Sequence, residues 1–196
     1  RDAEIQGLTV DTLLDHGAVT ERVLHHGKLY DLVILGIRGE TEERFEGQGG
    51  GHLEGIVRDL GVPTLFVPHD IDSITGVVVG YDGSENAAKA VRAGLSLAQD
   101  AGVGVEIVHV TADGTGQELL DQAVASCSGA SVTVGTSLIP REEGRRGANL
   151  VKWAVSHHAN VLAIGKLGQS AMRDFLYGGV VDHVLSSSPL MVLIVR

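Results

Sequence analysis

Short continuous apolar runs alternate along this chain with stretches in which apolar residues recur every three or four positions. DLVILG at 31–36, TLFV at 64–67, GVVVGY at 76–81, VEIVHV at 105–110, NVLAIG at 160–165 and MVLIV at 191–195 are runs bounded by Gly, Pro or polar residues. That is the pattern of strands covered on both faces. Between them, 18–28, 52–60, 84–102, 117–127, 147–158 and 180–187 read as helices, with Ala87, Ala88, Val91, Leu95 and Ala98 lining one face of the longest and Ser84 as its N-cap. Two further strands are expected, an alternating one within 5–14 and one over 131–136; the glycine-rich 40–51 reads as a loop. Strands alternating with helices imply a parallel sheet with helices on both faces and right-handed crossovers.

The pattern also repeats. VILGIRG at 33–39, a loop, a helix and VPTLFV at 62–67 match LAIGKLG at 162–168, a loop, a helix and LMVLIV at 190–195. Nothing in the first copy corresponds to residues 77–110. The expected organisation is therefore a partial domain over 1–68, a linker over 69–75 and a complete domain over 76–196. A chain of 196 residues suits that reading, being longer than one common domain and short for two.

Composition narrows the function. Aromatic residues are only 4%, so Val, Ile, Leu and Ala must do the packing. A formal charge of −10 without any basic run argues against nucleic acid as a partner. The single cysteine, Cys127, has no partner for a disulfide and reads as a structural thiol. No apolar run approaches the roughly 20 residues of a membrane helix and the first residues do not read as a signal peptide, so a cytoplasmic protein away from membranes is expected.

The candidate chemistry lies in the second copy. Gly165, Gly168 and, after nine intervening residues, Gly178 are followed by Gly179 and Val180 at the start of an apolar helix. A strand ending in a glycine loop that opens a helix offers free backbone N–H groups to an anion, a nucleotide phosphate above all. Asp82, Gly83 and Ser84 form the turn after the strand at 76–81, where a carboxylate can accept hydrogen bonds from a ribose hydroxyl or an amine. The turn alone would also suit a structural Asp-Gly pair. His25-His26 and His157-His158 sit near helix ends without the i, i+4 spacing of metal ligands; His109 on its strand and Trp153 on its helix read as structural. No Walker loop, nucleophile elbow or HExxH stretch is present, and no base or cation for phosphoryl transfer can be named, so an enzyme beyond a weak ATPase is not expected.

The glycine spacing, the strand-Asp-Gly-Ser opening and the apolar last strand after Ser188-Pro189 resemble the universal stress protein family in its tandem form. The resemblance covers 76–196 as a whole domain and 5–68 as a truncated one. It implies an open parallel five-stranded sheet with helices on both faces, Rossmann-like and similar to the adenine nucleotide alpha hydrolases, with first and fourth strands adjacent. It implies a stress-response role and ATP or a related adenine nucleotide as ligand, and leaves open whether Mg²⁺ accompanies it. The implied site is Asp82, Gly83, Ser84, Val110 against adenine, Gly165, Gly168, Gly178, Gly179 and Val180. Gly179 departs from the family's Ser or Thr and so lacks a hydroxyl toward phosphate. The resemblance further implies self-association through the last strands, 64–67 and 191–195, either between the two copies or in a homodimer. Alternatively the chain is a dimerisation module that binds no nucleotide.

Overall fold

The computed structural model describes residues 9–36, 50–68, 71–142, 146–166 and 190–196, the side chains of 50–54 excepted. In chain order the elements are α1 (Val19–Gly27), β1 (Val33–Gly36), α2 (Gly50–Asp59), β2 (Thr64–Val67), β3 (Val77–Gly80), α3 (Glu85–Ala101), β4 (Val105–Thr111), α4 (Gln117–Ala125), β5 (Val134–Pro140), α5 (Arg146–Ser156), β6 (Val161–Gly165) and β7 (Met191–Val195). All seven strands form one sheet in the order β1-β2-β7-β6-β3-β4-β5. The five strands β7-β6-β3-β4-β5 are mutually parallel, as expected; β1 and β2 are parallel to each other and join the rest through an antiparallel β2–β7 pair. No helix among the described residues is long and apolar enough to cross a membrane.

Continuous apolar strands are buried here because helices pack on both faces. On one face Val77, Val79, Val105, Ile107, Val161, Ala163 and Leu193 meet Ala90, Val91 and Ala98 of α3 and Leu120 and Ala123 of α4. On the other, Val78, Val108, Leu162, Ile164, Phe66 and Val192 meet Val57 of α2 and Leu150 and Ala154 of α5. Local signals set the helix ends. The Ser84 hydroxyl caps α3 by accepting the Ala87 N–H at 3.1 Å, and Gly102 ends it at φ 67°, a left-handed conformation in which any side chain is strained. Trp153 packs against the core beneath α5 and stacks on His157 at 3.9 Å between ring centroids.

The repeat-matched residues pair alike. Val33 lies opposite Thr64 and Gly36 opposite Val67, while their counterparts Leu162 and Gly165 lie opposite Val192 and Val195. Across the antiparallel seam Leu65 faces Leu193, Thr64 faces Ile194 and Phe66 faces Val192. Exchanging each residue for its counterpart reproduces this register, which places a local two-fold axis at the Leu65–Leu193 pair. The two apolar last strands thus pair within one chain. Each is interior to the sheet, and pairing between the two copies is one of the two alternatives expected for them.

Two expectations change. Residues 9–14 of the strand expected within 5–14 adopt no regular structure and are exposed, having no partner strand to convert alternation into a ladder; 5–8 lie outside the described residues. The strand expected at 131–136 instead runs over Val134–Pro140, because its length follows the seven-residue ladder with Val105–Thr111. The last helix expected, at 180–187, lies outside the described residues.

Candidate functional site

The strand order reverses at β3, which lies between β6 and β4. At such a break the helices leaving neighbouring strands diverge to opposite faces and open a crevice beyond the carboxyl ends. Gly80 of β3 is level with Ile164 of β6 and with Val108 of β4. Asp82 therefore follows one wall of the crevice and Gly165 ends the other.

Each group is held by its own neighbours. The Asp82 carboxylate accepts the Ser84 N–H through Oδ1 at 3.0 Å, closing the turn, while the side chain stays exposed. Gly83 has φ 81°, which the turn requires. Ser84, through its cap, directs the N-terminus of the 17-residue α3 to the carboxyl end of β6. There the Asn86 amide donates to the Lys166 carbonyl at 2.7 Å. A side-chain carbon on Gly165 would stand 2.6 Å from both the Asn86 oxygen and the Ala87 nitrogen. The absent side chain thus lets the first turn of α3 rest on the strand end, a packing reason for this glycine. The N–H groups of Glu85 and Asn86 have no acceptor among the described residues. The positive end of the α3 dipole, roughly half a unit charge, therefore opens at the crevice. Val110 is buried near the end of β4, opposite Ile139 and in the cluster with Leu150. Gly168, Gly178, Gly179 and Val180 lie outside the described residues, as does Arg173.

Asp113, at this edge, escaped the sequence reading. After β4, Asp113 accepts the Thr111 hydroxyl at 2.8 Å and the Thr115 hydroxyl and N–H at 2.7 and 3.1 Å. Hydrogen bonds from Thr115 first, then Thr111, hold its carboxyl down to about 2, so it is fully ionised at neutral pH. The Thr-x-Asp-x-Thr spacing is a legible signal for such a turn. His109, half-buried, hydrogen-bonds the Tyr81 carbonyl through Nδ1 at 2.8 Å and so steadies the strand just before Asp82. A ring nitrogen facing a carbonyl must carry the proton, which fixes the tautomer. At the opposite, amino end of β3 and β6, Asn160 pins the linker, its amide donating to the Ser73 carbonyl at 2.7 Å and its oxygen accepting the Thr75 N–H at 2.9 Å.

Lys166 turns away from the crevice floor. Its ammonium donates to the Arg58 carbonyl in the last turn of α2. Partial burial, and after it the Arg196 charge, lower its pKa from the ordinary lysine value. The described residues assemble a carboxylate acceptor, a helix N-terminus and a close-packed glycine at the crevice.

The Universal stress protein family model matches residues 74–196. A universal stress protein of Synechocystis sp. is 30% identical over 173 residues, covering 85% of this chain; the chain spans 58% of that protein's length. A solved universal stress protein from Archaeoglobus fulgidus DSM 4304 superposes with a TM-score of 0.76 at 18% identity, covering 98% of this chain and 71% of its own. A universal stress protein solved in complex with cAMP is 26% identical, with a TM-score of 0.53 over 64% of this chain and 98% of its own. The chain belongs to the universal stress protein family.

Proposed function

We propose that this universal stress protein binds an adenine nucleotide, ATP being the expected form, between the carboxyl ends of β3 and β6, and uses it as a regulatory ligand in a cytoplasmic stress response. The observation that carries the reading is the reversal of strand order at β3, with Asp82 and the α3 N-terminus at the break. The likeness to a family member in complex with cAMP supports an adenine nucleotide as the ligand class. In this reading Asp82 accepts hydrogen bonds from the nucleoside through its second oxygen, and the backbone N–H groups at Gly165, Gly168 and Gly178 to Val180 face phosphate. The shared register of the β1–β2 and β6–β7 pairs supports a tandem organisation, a partial copy over 1–68 and a whole one over 76–196.

Titrating the chain with ATP, with and without Mg²⁺, tests this by calorimetry. About one nucleotide per chain is expected, and Asp82→Ala weakens it roughly ten- to hundredfold, the equivalent of about 1.5–3 kcal/mol for hydrogen bonds to a charged group. No binding at millimolar ATP by folded protein sinks the reading.

A second reading, an interaction module without nucleotide, is favoured by the outer edge of β1. That strand ends the sheet and carries the exposed Leu32 and Ile34 beside it. The same titration separates the two.

A further inference from the structure

β3 parts from β4 at the mouth of the crevice, and a side chain holds it there. The ladder between the two strands ends with Gly80 opposite Val108 and the Tyr81 N–H donating to the Val108 carbonyl at 2.9 Å, while β4 continues along β5 to Thr111. The Tyr81 carbonyl receives no backbone N–H among the described residues; its donor is Nδ1 of His109, at 2.8 Å. That carbonyl and the Asp82 N–H belong to one planar peptide, so fixing the direction of the first fixes where Asp82 leaves the strand. Asp82 itself has little else to hold it: the residue is exposed, and its carboxylate closes the turn through one bond from the Ser84 N–H. The His109 ring is fixed in turn by the start of α4. A side-chain carbon on Gly116 would stand 2.6 Å from the ring's Cδ2 and 3.0 Å from its Nε2, so the backbone before α4 lies directly against the ring. The Gly116 carbonyl accepts the Leu119 and Leu120 N–H groups at 3.1 and 3.2 Å, and Asp113 braces the loop that leads to it through Thr111 and Thr115. A carbon on Gly83 would come 3.1 Å from Leu119, so α4 also rests on the Asp82 turn itself.

We propose that His109 is a positioning residue for the nucleoside: it sets the Tyr81–Asp82 peptide and thereby aims the Asp82 carboxylate across the crevice, while the start of α4 keeps the ring in place. It does so from the far face of the sheet. Successive side chains of a strand point to opposite faces. Val110 packs with Leu150 on the α5 face, so His109 lies on the face of α3 and α4, where Leu138 also packs. His109 thus acts on a ligand at Val110 through Tyr81 and Asp82, not by contact. The nucleoside part rests on the function proposed above; the hold of His109 on the Asp82 turn does not.

Two substitutions separate the hydrogen bond from the packing. His109→Leu keeps an apolar body against Gly116 and Leu138 and removes the donor; His109→Asn gives up much of the ring and keeps an amide N–H where Nδ1 stands. ATP affinity by calorimetry and hydrogen exchange of the Ser84 amide are measured on the whole chain, for both variants, for Asp82→Ala and for Asp82→Ala combined with His109→Leu. His109→Leu is expected to weaken ATP roughly tenfold and to speed Ser84 exchange roughly tenfold, and His109→Asn to stay within about threefold in both. On the Asp82→Ala background His109→Leu should change ATP affinity by less than about twofold, because a residue that acts through Asp82 then has no carboxylate left to aim. A larger loss in His109→Asn than in His109→Leu assigns the effect to packing and overturns the proposal. So does a loss of equal size with and without the Asp82 carboxylate, or ATP affinity unmoved in His109→Leu. If the unchanged protein binds no ATP while Ser84 exchange quickens in His109→Leu and not in His109→Asn, the nucleotide reading falls and the hold of His109 on the turn stands. Exchange unmoved in His109→Leu removes that hold whether or not ATP binds.

Discussion

The β1–β2 and β6–β7 pairs have the same strand pattern, the same register and a glycine at the same end, yet they sit in different surroundings. β6 is flanked by β3 and β7 and roofed by α3, and Ala163 on its α3-facing side is fully buried. β1 is an outer strand, and Ile34, the counterpart of Ala163, is 60% exposed. Gly165 carries the first turn of α3, whereas Gly36 is exposed. A matching glycine motif therefore does not make a matching site. What turns the end of β6 into one wall of a crevice is the neighbouring strand with its capped helix, and β1 has neither among the described residues.

The comparison can be broken most sharply at the axis. Leu65 and Leu193 are both buried and face each other. Truncating either to Ala should cost about 2–5 kcal/mol, by nearly the same amount for each if the two-fold relation holds energetically. Urea unfolding of the two variants checks this, and values far apart would mean that the seam is symmetric in register only. Next comes the glycine pair. Gly165→Ala forces a carbon onto the backbone of Asn86 and Ala87, which cannot give way as a side-chain tip can, at about 1–3 kcal/mol. Gly36→Ala at the exposed counterpart should stay within about 0.5 kcal/mol. Equal losses would refute the packing role assigned to Gly165.

The smallest effect concerns acid. Asp113 has a folded pKa of about 2 against an ordinary 3.8, so its contribution is fully present above pH 4 and is lost as the pH falls toward 2. Asp113→Asn should flatten the stability profile between about pH 4 and 2 and leave it unchanged near neutrality. It is fully solvent-exposed, so the change is a shift of the profile's shape and not of the fold. A profile that keeps its slope in the variant would assign the acid sensitivity elsewhere, with Asp15, lowered by its hydrogen bond to His26, the next group to examine.

Much of this architecture is legible because it is written in short-range terms. The bounds of β2 and β7 coincide with the apolar runs, and the Ser84 cap and the Gly102 stop of α3 are local backbone chemistry. The β3–β6 adjacency, implied by the family resemblance, is present. The length of β5 was not legible, since a strand's extent depends on its neighbour. Neither was the direction of Lys166, because a four-carbon stem next to a glycine can turn to either side. The Asp113 turn was legible in its Thr-x-Asp-x-Thr spacing and was passed over.

The sequence by itself determined the periodicities, the caps and the family: buried strands need continuous apolar runs, and helices need a stripe and an end. Only the tertiary structure decided that the two last strands pair with each other, that Gly165 is a seat for α3, and that the Lys166 ammonium reaches the Arg58 carbonyl. Those outcomes depend on which backbone atoms from distant segments come within contact of one another. Propensity and pattern act over a few residues and carry no information about a partner more than a hundred positions away.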